Sequence, residues 1–325
     1  MTGRRRAVGT AAVLAGALAL VVSGCSAGLV SVGAQPSAAL PQPGSVNSGS
    51  AAPAPTTTTP ACNANALSLR PTATDATSAA VARIRARGKI IVGVAQDGFL
   101  TGYLDSSGTE TGFDVDIARQ VEKALFGTED AGHIQFVAVT NAERITDLQN
   151  GTVDLVADTF TITCDRAKLV QFSTVYYEGT QRVLVLKNSG YTSLDQLGGK
   201  KVCAQRDSTS IAAIEAYKSH PVGYGVANLT DCLVALQQNQ VDAISTDDTI
   251  LAGLAQQDPN TTVLTGIVES EPYGVAVAKN APDLIRYVNG VLEQIRADGT
   301  WESIYDKWLR PTLGTPLAIP ALYAD

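Results

Sequence analysis

The chain has 325 residues, with 31 acidic and 24 basic side chains that give a formal net charge of −7 at neutral pH. An acidic chain lacks the basic surface that nucleic acid requires, so we exclude nucleic acid as a partner. The length is too great for one small hydrophobic core and predicts two lobes of ordinary domain size.

The N-terminal residues have the pattern of an export signal. Three arginines at positions 4–6 precede an apolar run over residues 11–22 and the small residues before Cys25. That order is typical of a secretory leader, and the run is too short to span a bilayer. We predict a lipoprotein signal peptide over residues 1–24 with lipidation at Cys25. The alternative is a plain cleaved leader with an incidental cysteine.

The segment that follows, residues 25–60, is rich in Ala, Pro, Ser, Gly and Thr. It cannot bury enough apolar surface to fold by itself. We therefore predict a flexible tether between a membrane anchor and the folded body.

The folded body alternates strand-like and helix-like segments. Short apolar runs predict strands over residues 89–94, 134–139, 153–157, 181–187, 201–204, 241–245 and 273–278. Helical spacing and start signals predict helices over residues 75–87, 142–149, 208–218, 229–238 and 282–297, and another from residue 112. In that last helix we interpret Asp114 and Asp116 as N-terminal caps. The alternation predicts an α/β fold.

The residues after the strand at 153–157 have unusual chemistry for a loop. Thr159, Thr161 and Thr163 alternate with apolar residues, so an extended chain would place three hydroxyls on one side. Arg166 follows, and its planar guanidinium matches a carboxylate in a bidentate way. This pattern favours a carboxylate site. The alternative is an edge strand followed by a helix with a surface arginine.

The same segment resembles the signature of the family 3 extracellular solute-binding proteins, the polar amino-acid receptors of bacterial importers. The resemblance rests on VDLV, TFTITCDR and FSTVYY in this order and extends over about residues 83–310. It implies a two-lobed periplasmic-binding-protein-like fold of type II, with two crossover strands and a ligand cleft between the lobes. The first lobe would comprise residues 61–184 and 276–325, and the second residues 185–275.

The resemblance also implies which residues contact an amino-acid ligand. Arg166 would hold the α-carboxylate, with Thr159 and Thr161 beside it, although relatives often have glycine at position 159. Asp247 would accept bonds from the α-ammonium group. Arg144 would contact the distal group of the ligand side chain.

Alternatives remain at several of these positions. Arg144 is otherwise a solvated helix arginine paired with Glu143 or Asp147. Loops after two strands supply the remaining predicted contacts, namely Asp97, Phe99, Gly102 and Tyr103 in one and Arg206, Thr209 and Ser210 in the other. Either aromatic ring could equally belong to the core. Helix capping explains the second loop about as well as an anion site does.

Four cysteines remain once Cys25 is assigned to lipid, and an even number in an exported protein suggests disulfides. Spacing alone allows three pairings. We expect Cys203 to pair with Cys232 because both lie in the same predicted lobe, which leaves Cys62 with Cys164. The chain has two histidines and no paired Cys-x-x-Cys spacing, so we expect neither a metal site nor a cofactor.

The predicted function is binding without chemistry. The resemblance implies a monomeric, membrane-anchored receptor on the outer face of the cell membrane, which binds glutamate, aspartate, glutamine or asparagine and delivers it to an ABC importer. Signalling to a transmembrane sensor is one alternative. A cyclohexadienyl-dehydratase-like enzyme is the other. We do not expect an enzyme, because neither histidine lies beside a motif and no serine or cysteine nucleophile has a recognisable elbow.

Overall fold

The computed structural model describes residues 63, 67–71, 78–129, 132–317, 319 and 321–325. The predicted signal peptide, the lipidation site Cys25, the tether and Cys62 lie outside these residues. Within the described part of the chain, no helix is both long enough and apolar enough to cross a lipid bilayer.

Ten α-helices are present among the described residues. In chain order they are α1 (Ala79–Arg87), α2 (Phe113–Phe126), α3 (Glu143–Asn150), α4 (Arg166–Leu169), α5 (Thr209–Ala216), α6 (Leu229–Gln237), α7 (Asp248–Gln257), α8 (Pro282–Ala297), α9 (Thr300–Trp308) and α10 (Arg310–Leu313). Helix α8 has the predicted bounds because Pro282 suits the first helical turn.

The strands alternate with these helices. In chain order they are β1 (Ile90–Val94), β2 (Asp97–Gly98), β3 (Gly102–Leu104), β4 (Glu110–Thr111), β5 (Ile134–Ala138), β6 (Leu155–Val156), β7 (Val170–Phe172), β8 (Tyr177–Leu186), β9 (Lys201–Gln205), β10 (Val222–Val226), β11 (Ala243–Asp247), β12 (Thr261–Val263), β13 (Glu269–Tyr273) and β14 (Ala276–Ala278). Strands β2, β3, β4, β7, β10 and β12 have no counterpart in the sequence prediction, and of β13 only Tyr273 lies in a predicted strand.

Two mixed sheets define two lobes. The first lobe contains the sheet β5-β1-β6-β14-β7, in which β1 runs parallel to β5 and β6 while β14 is antiparallel to its neighbours. The second lobe contains the sheet β10-β9-β11-β8-β12, and β13 also pairs with β8. A small antiparallel sheet, β2-β3-β4, follows β1. The alternation of strands and helices confirms the predicted α/β class.

The chain passes twice between the two sheets. It enters the second sheet after β7 through β8, and it returns between β13 and β14. Gly274 lies at the return, where an added Cβ would lie 2.9 Å from Ile162 and 3.0 Å from Phe172. The predicted limit at residues 184 and 185 falls inside β8, so the exact lobe limits stay a prediction.

Each sheet has a hydrophobic cluster on both faces. In the first lobe, α1, α2, α8 and α9 cover one face, and α3 covers the other with Leu148. In the second lobe, Cys232 of α6 lies in one cluster and Ile214 of α5 in the other. Helices on both faces of a largely parallel sheet are the usual way to bury it. The loops at the strand ends are thereby free to line a site between the lobes.

Candidate ligand cleft

Arg166 begins α4 at the edge of the cleft between the lobes. Its Nη1 donates to the carbonyl of Thr161 at 2.8 Å, and its Nη2 donates to the carbonyl of Asp207, in the second lobe, at 3.4 Å. Burial and the charge of Arg144 lower its pKa to about 10, so the guanidinium stays protonated at neutral pH. No carboxylate of the described residues forms an ion pair with it. Arg166 is half-buried, so the alternative of a fully exposed surface arginine is wrong, although the helix that this alternative expected does begin here.

Arg144 lies in α3 and is 3% exposed. Its Nη1 donates to the carbonyl of Asp158 at 2.9 Å and lies 3.5 Å from the carboxylate of the same residue. The alternative of a solvated arginine paired with Glu143 or Asp147 is therefore wrong, and the carboxylate of Glu143 instead accepts bonds from Thr140. Burial lowers the pKa of Arg144. Burial also raises the pKa of Asp158, to about 6.

The ring of Phe160 contacts both arginines. The guanidinium carbon of Arg144 lies 4.1 Å from the ring centroid, and that of Arg166 lies 5.0 Å from it. Phe160 is 1% exposed and meets Phe172 edge-on at 5.0 Å. Attraction between each cation and the ring offsets part of the repulsion between the two guanidinium groups. The sequence indicated only that Phe160 is apolar.

Asp247 ends β11 in the second lobe and is 4% exposed. It accepts hydrogen bonds from the hydroxyl of Tyr273 at 2.7 Å and from Ser210 Oγ at 3.4 Å. Burial and the nearby charge of Glu271 raise its pKa well above the ordinary value. A cation placed beside it would favour its charged form, because an unpaired buried carboxylate is costly.

The loop that opens α5 contributes hydroxyls from the second lobe. Ser208 caps the helix, its Oγ accepting from the Ile211 amide at 3.1 Å. Thr209 Oγ1 lies 3.4 Å from Thr161 Oγ1 of the first lobe, and Ser210 Oγ donates to Thr246 at 3.2 Å. The side chain of Arg206 is exposed, so the structure does not bring it into the cleft.

Asp207 has a φ of +60°, in the left-handed region that favours glycine. Thr159 is similar, with a φ of +41°. The extended run predicted from residue 159 is therefore wrong at its first residue. The amide of Thr159 donates to the carboxylate of Asp114 at 2.7 Å, and this bond holds the turn.

The two acids at the start of α2 do not cap their own helix as predicted. Asp114 is 1% exposed and also accepts from the hydroxyl of Tyr176 at 2.7 Å. Burial raises its pKa to about 7, although both hydrogen bonds lower it. Asp116 instead accepts bonds from Lys307 and Trp308 of α9. Both acids therefore connect α2 to other segments.

Two cavities of about 20 Å³ each lie between the lobes. Seven of the predicted ligand residues line them, namely Asp97, Arg144, Thr159, Thr161, Thr209, Ser210 and Asp247. Each cavity has room for about one water molecule. A free amino acid needs several times that volume, so it can enter only when the lobes separate.

The β2–β3 hairpin contributes one residue to these cavities. Asp97 accepts from the Leu229 amide of α6 at 2.6 Å, which joins the lobes. The other predicted ligand residues, namely Phe99, Gly102, Tyr103, Arg166 and Arg206, line neither cavity. The ring of Phe99 lies 4.9 Å from that of Tyr103, which meets Trp308 edge-on at 6.3 Å. Their contact with ligand stays a prediction.

A larger cavity of about 420 Å³ lies between β8, α7 and α10. None of the predicted ligand residues lines it. The Arg182 guanidinium in its wall donates to Thr180 and to the Thr265 carbonyl, and Asp248 accepts from Thr180 at 2.8 Å. Both charged groups are therefore hydrogen-bonded within the wall of this cavity.

Two acids at or beside the cleft were not predicted from the sequence: Asp158 lines one cavity, and Glu271 accepts from Thr209, which lines the other. Asp158 was taken only as the end of a strand, and Glu271 lies in β13, beside Pro272. The signal for Asp158 was its place at the carboxyl end of a strand, where ligand-site residues collect. We find no comparable sequence signal for Glu271.

The cysteine prediction is confirmed for one pair. Cys203 and Cys232 form a disulfide with a Cα–Cα distance of 5.6 Å. Cys164, two residues before Arg166, is also in a disulfide. Its predicted partner, Cys62, lies outside the described residues. Among the described residues, no group of three or more His, Cys, Asp or Glu side chains could hold a metal ion.

Residues 90–311 match the model of the bacterial extracellular solute-binding proteins, family 3. The chain is 39% identical over 232 residues to the ABC transporter glutamine-binding protein GlnH of Bacillus subtilis strain 168, covering 71% of this chain and 84% of that protein.

Solved structures are similar as well. One is an ancestral arginine-binding protein bound to glutamine, with a TM-score of 0.64 and 32% identity, covering 70% of this chain and 99% of that one. Another is the ancestral amino acid-binding protein AncCDT-1, described as a precursor of cyclohexadienyl dehydratase, with a TM-score of 0.64 and 30% identity over 70% and 98% of the two chains. These likenesses confirm the predicted type II fold. The chain therefore belongs to the bacterial extracellular solute-binding proteins of family 3.

Proposed function

We propose that this protein binds a polar amino acid, with glutamine as its main ligand, and delivers it to an ABC importer. One observation carries the proposal. Arg166 has no acidic side-chain partner among the described residues, and Asp247 on the other lobe has no basic one. A free amino acid carries a carboxylate and an ammonium group that complement these two charges.

The choice of glutamine among polar amino acids rests on Arg144. Its guanidinium is already bonded to Asp158, so it does not require a carboxylate on the ligand side chain. A neutral amide can accept from the unpaired Nε of this arginine. The similarity to the glutamine-binding GlnH and to a structure bound to glutamine supports the same choice.

Isothermal titration calorimetry tests the proposal. We expect glutamine to bind more tightly than glutamate, aspartate, asparagine or arginine. If none of the five amino acids produces heat on titration, amino-acid binding is refuted. The Arg166→Ala variant should weaken glutamine binding about a hundredfold, because it leaves the ligand carboxylate buried without a partner. Arg206→Ala is the matched control, since it removes an exposed guanidinium beside the same cleft, and an equal loss in both variants would contradict the assignment of Arg166.

Delivery requires that the protein stay near the membrane. We infer a lipid on Cys25, a tether over residues 25–60 and a monomeric body on the outer face of the cell membrane, which passes its ligand to a permease. A Cys25→Ser variant should appear in the culture medium instead of the membrane fraction. Retention of that variant in the membrane would contradict the anchor. Capture of a transmembrane sensor instead of a permease by the anchored protein would favour signalling.

We also infer that the protein is not an enzyme. The neighbour described as a precursor of cyclohexadienyl dehydratase makes one reaction worth testing. Neither histidine lines the cleft cavities, so no imidazole is placed there as acid or base. Incubation with prephenate and arogenate should leave both unchanged, and enzyme-dependent release of water and carbon dioxide would overturn the inference.

A further inference from the structure

Glu271 is a buried acid of the strand that leads back to the first lobe. It is 1% exposed and pairs across the sheet with Gly179, where an added Cβ would lie 2.7 Å from the Glu271 carbonyl. Its Oε2 accepts from Thr209 Oγ1 at 2.8 Å, and Thr209 lines the cleft. Its Oε1 accepts no bond from a basic or hydroxyl group of the described residues, and besides Thr209 only the carboxyl group of Glu269 is hydrogen-bonded to this side chain.

The charges around Glu271 do not neutralise it through contact. No basic side chain of the described residues lies within ion-pair distance of its carboxylate. Its charge acts on Asp247, whose pKa it helps to raise, and on Arg166. Its neighbour Glu269, two residues earlier on the strand, has its pKa raised to about 7 by burial and by the charge of Glu271, so at neutral pH it is protonated in about half of the molecules and can donate to Glu271. No basic side chain in the described part of the chain therefore neutralises Glu271 by contact.

A charge count shows what this means for a ligand. Two arginines, Arg144 and Arg166, face the carboxyl groups of Asp97, Asp158, Asp247 and Glu271, and Asp97 accepts from the Leu229 amide. Asp158 forms an ion pair with Arg144. An amino acid presents its carboxylate to the second arginine and its ammonium group to Asp247. Glu271 then remains without a cation, and any further negative charge on the ligand is repelled by it.

We propose that Glu271 is a specificity residue that excludes amino acids with an acidic side chain, so the cleft selects glutamine over glutamate by charge. The proposal rests on the proposed function of amino-acid binding. It adds that discrimination comes from an acid on the hinge strand β13. At an effective dielectric constant of about 20, two like charges about 10 Å apart change a Kd about tenfold.

The test compares the Kd ratio of glutamate to glutamine in the wild type and in Glu271→Gln, by calorimetry at one pH and salt concentration. The amide keeps the shape of the side chain and can still accept from Thr209. We expect the ratio to fall about tenfold, mostly through tighter binding of glutamate. Glu178→Gln is the matched control. It removes an acid from the neighbouring strand, where Glu178 pairs with Pro272 and bonds to Ser270, and it should leave the ratio unchanged.

The outcomes of these titrations separate the role of Glu271 from amino-acid binding itself. A ratio within twofold of the wild type in Glu271→Gln overturns the role of Glu271 while leaving amino-acid binding intact. An equal fall in the Glu178→Gln control also overturns it, because the effect would then belong to the overall charge of the hinge. Glu271→Ala removes the same charge without adding an amide and must shift the ratio in the same direction. A wild-type protein that binds no amino acid refutes the proposed function and this inference together.

Discussion

Replacing Asp114 with asparagine should flatten the dependence of stability on pH. The carboxylate is buried in the first turn of α2, between the hydroxyl of Tyr176 and the amide of Thr159. Burial raises its pKa from 3.8 to about 7. Between about pH 4 and pH 7 the folded protein holds a proton that the unfolded chain has released. The free energy of unfolding must therefore fall as the pH rises through this window.

The size of the effect follows from the shift. One pKa unit corresponds to about 1.4 kcal/mol, so a shift of about three units lowers the free energy of unfolding by about 4 kcal/mol across the window. Asparagine does not titrate and nearly matches the shape. Its carbonyl can accept from the Thr159 amide, and its NH₂ group can donate to the Tyr176 hydroxyl. We expect the variant to lie within about 1 kcal/mol of the wild type at pH 4.5.

Urea unfolding at four pH values between 4.5 and 7.5 measures the effect. The pKa of Asp158 is also raised, to about 6, and that group contributes to the slope of both proteins. The quantity of interest is thus the difference between the two curves, which should widen by about 1 kcal/mol per pH unit in favour of the variant. Parallel curves would refute the reasoning, because they would show that Asp114 has an ordinary pKa in the folded protein.

Two further predictions concern the backbone conformation of Thr159 and the disulfide between Cys203 and Cys232. Thr159→Gly should raise the free energy of unfolding by up to about 1 kcal/mol in urea, since a β-branched residue is strained at its φ of +41°; a loss of stability would show that the side chain contributes more than the strain costs. The double variant Cys203→Ser, Cys232→Ser opens a loop with a sequence separation of 29 residues and should lose about 3 to 4 kcal/mol. An unchanged unfolding midpoint would contradict that estimate.

Sequence patterns predicted the helices and strands that are indicated by the spacing of nearby apolar residues. Helix α2 buries Val115, Ala118, Val121 and Leu125, the four residues whose spacing indicated it. Strand β13 was missed because its signals conflict. Pro272 argues against a strand, and acids occupy two of its five positions. The strand forms because β13 pairs with β8 along its whole length; on its other side it makes only an isolated bridge between Tyr273 and Thr161, so it lies near an edge, where a missing amide costs little.

The identity of several site residues could be predicted from the sequence, but their pairing in the folded protein could not. Residue chemistry and family resemblance were sufficient to select Arg144, Arg166 and Asp247. They could not predict that Asp158 would form an ion pair with Arg144, because the two residues meet only when α3 folds back onto the end of β6. The two residues are 14 positions apart in the sequence, and nothing in this spacing distinguishes Asp158 from Glu143 or Asp147 as a partner for Arg144. Pairing of charges in a cleft is a property of the tertiary fold.

The polar contacts that join the lobes are mostly weak. Among the described residues, four of them cross the cleft: Asp97 with the Leu229 amide, Asn141 with the Arg206 carbonyl, Arg166 with the Asp207 carbonyl, and Thr161 with Thr209. Three of the four are 3.4 Å long, so they are weak bonds. A ligand that separates the lobes exchanges these bonds for new ones to the same groups.

Such an exchange leaves the number of hydrogen bonds almost unchanged and therefore contributes little affinity. The two groups that gain most are Arg166 and Asp247, which lack an oppositely charged side chain until a ligand arrives. Affinity should accordingly follow the charges of the ligand backbone, and selectivity should follow whatever charge its side chain brings toward Glu271. Binding and discrimination thus depend on different acids of one cleft, which is why substitution of Glu271 can change the preferred ligand without abolishing binding.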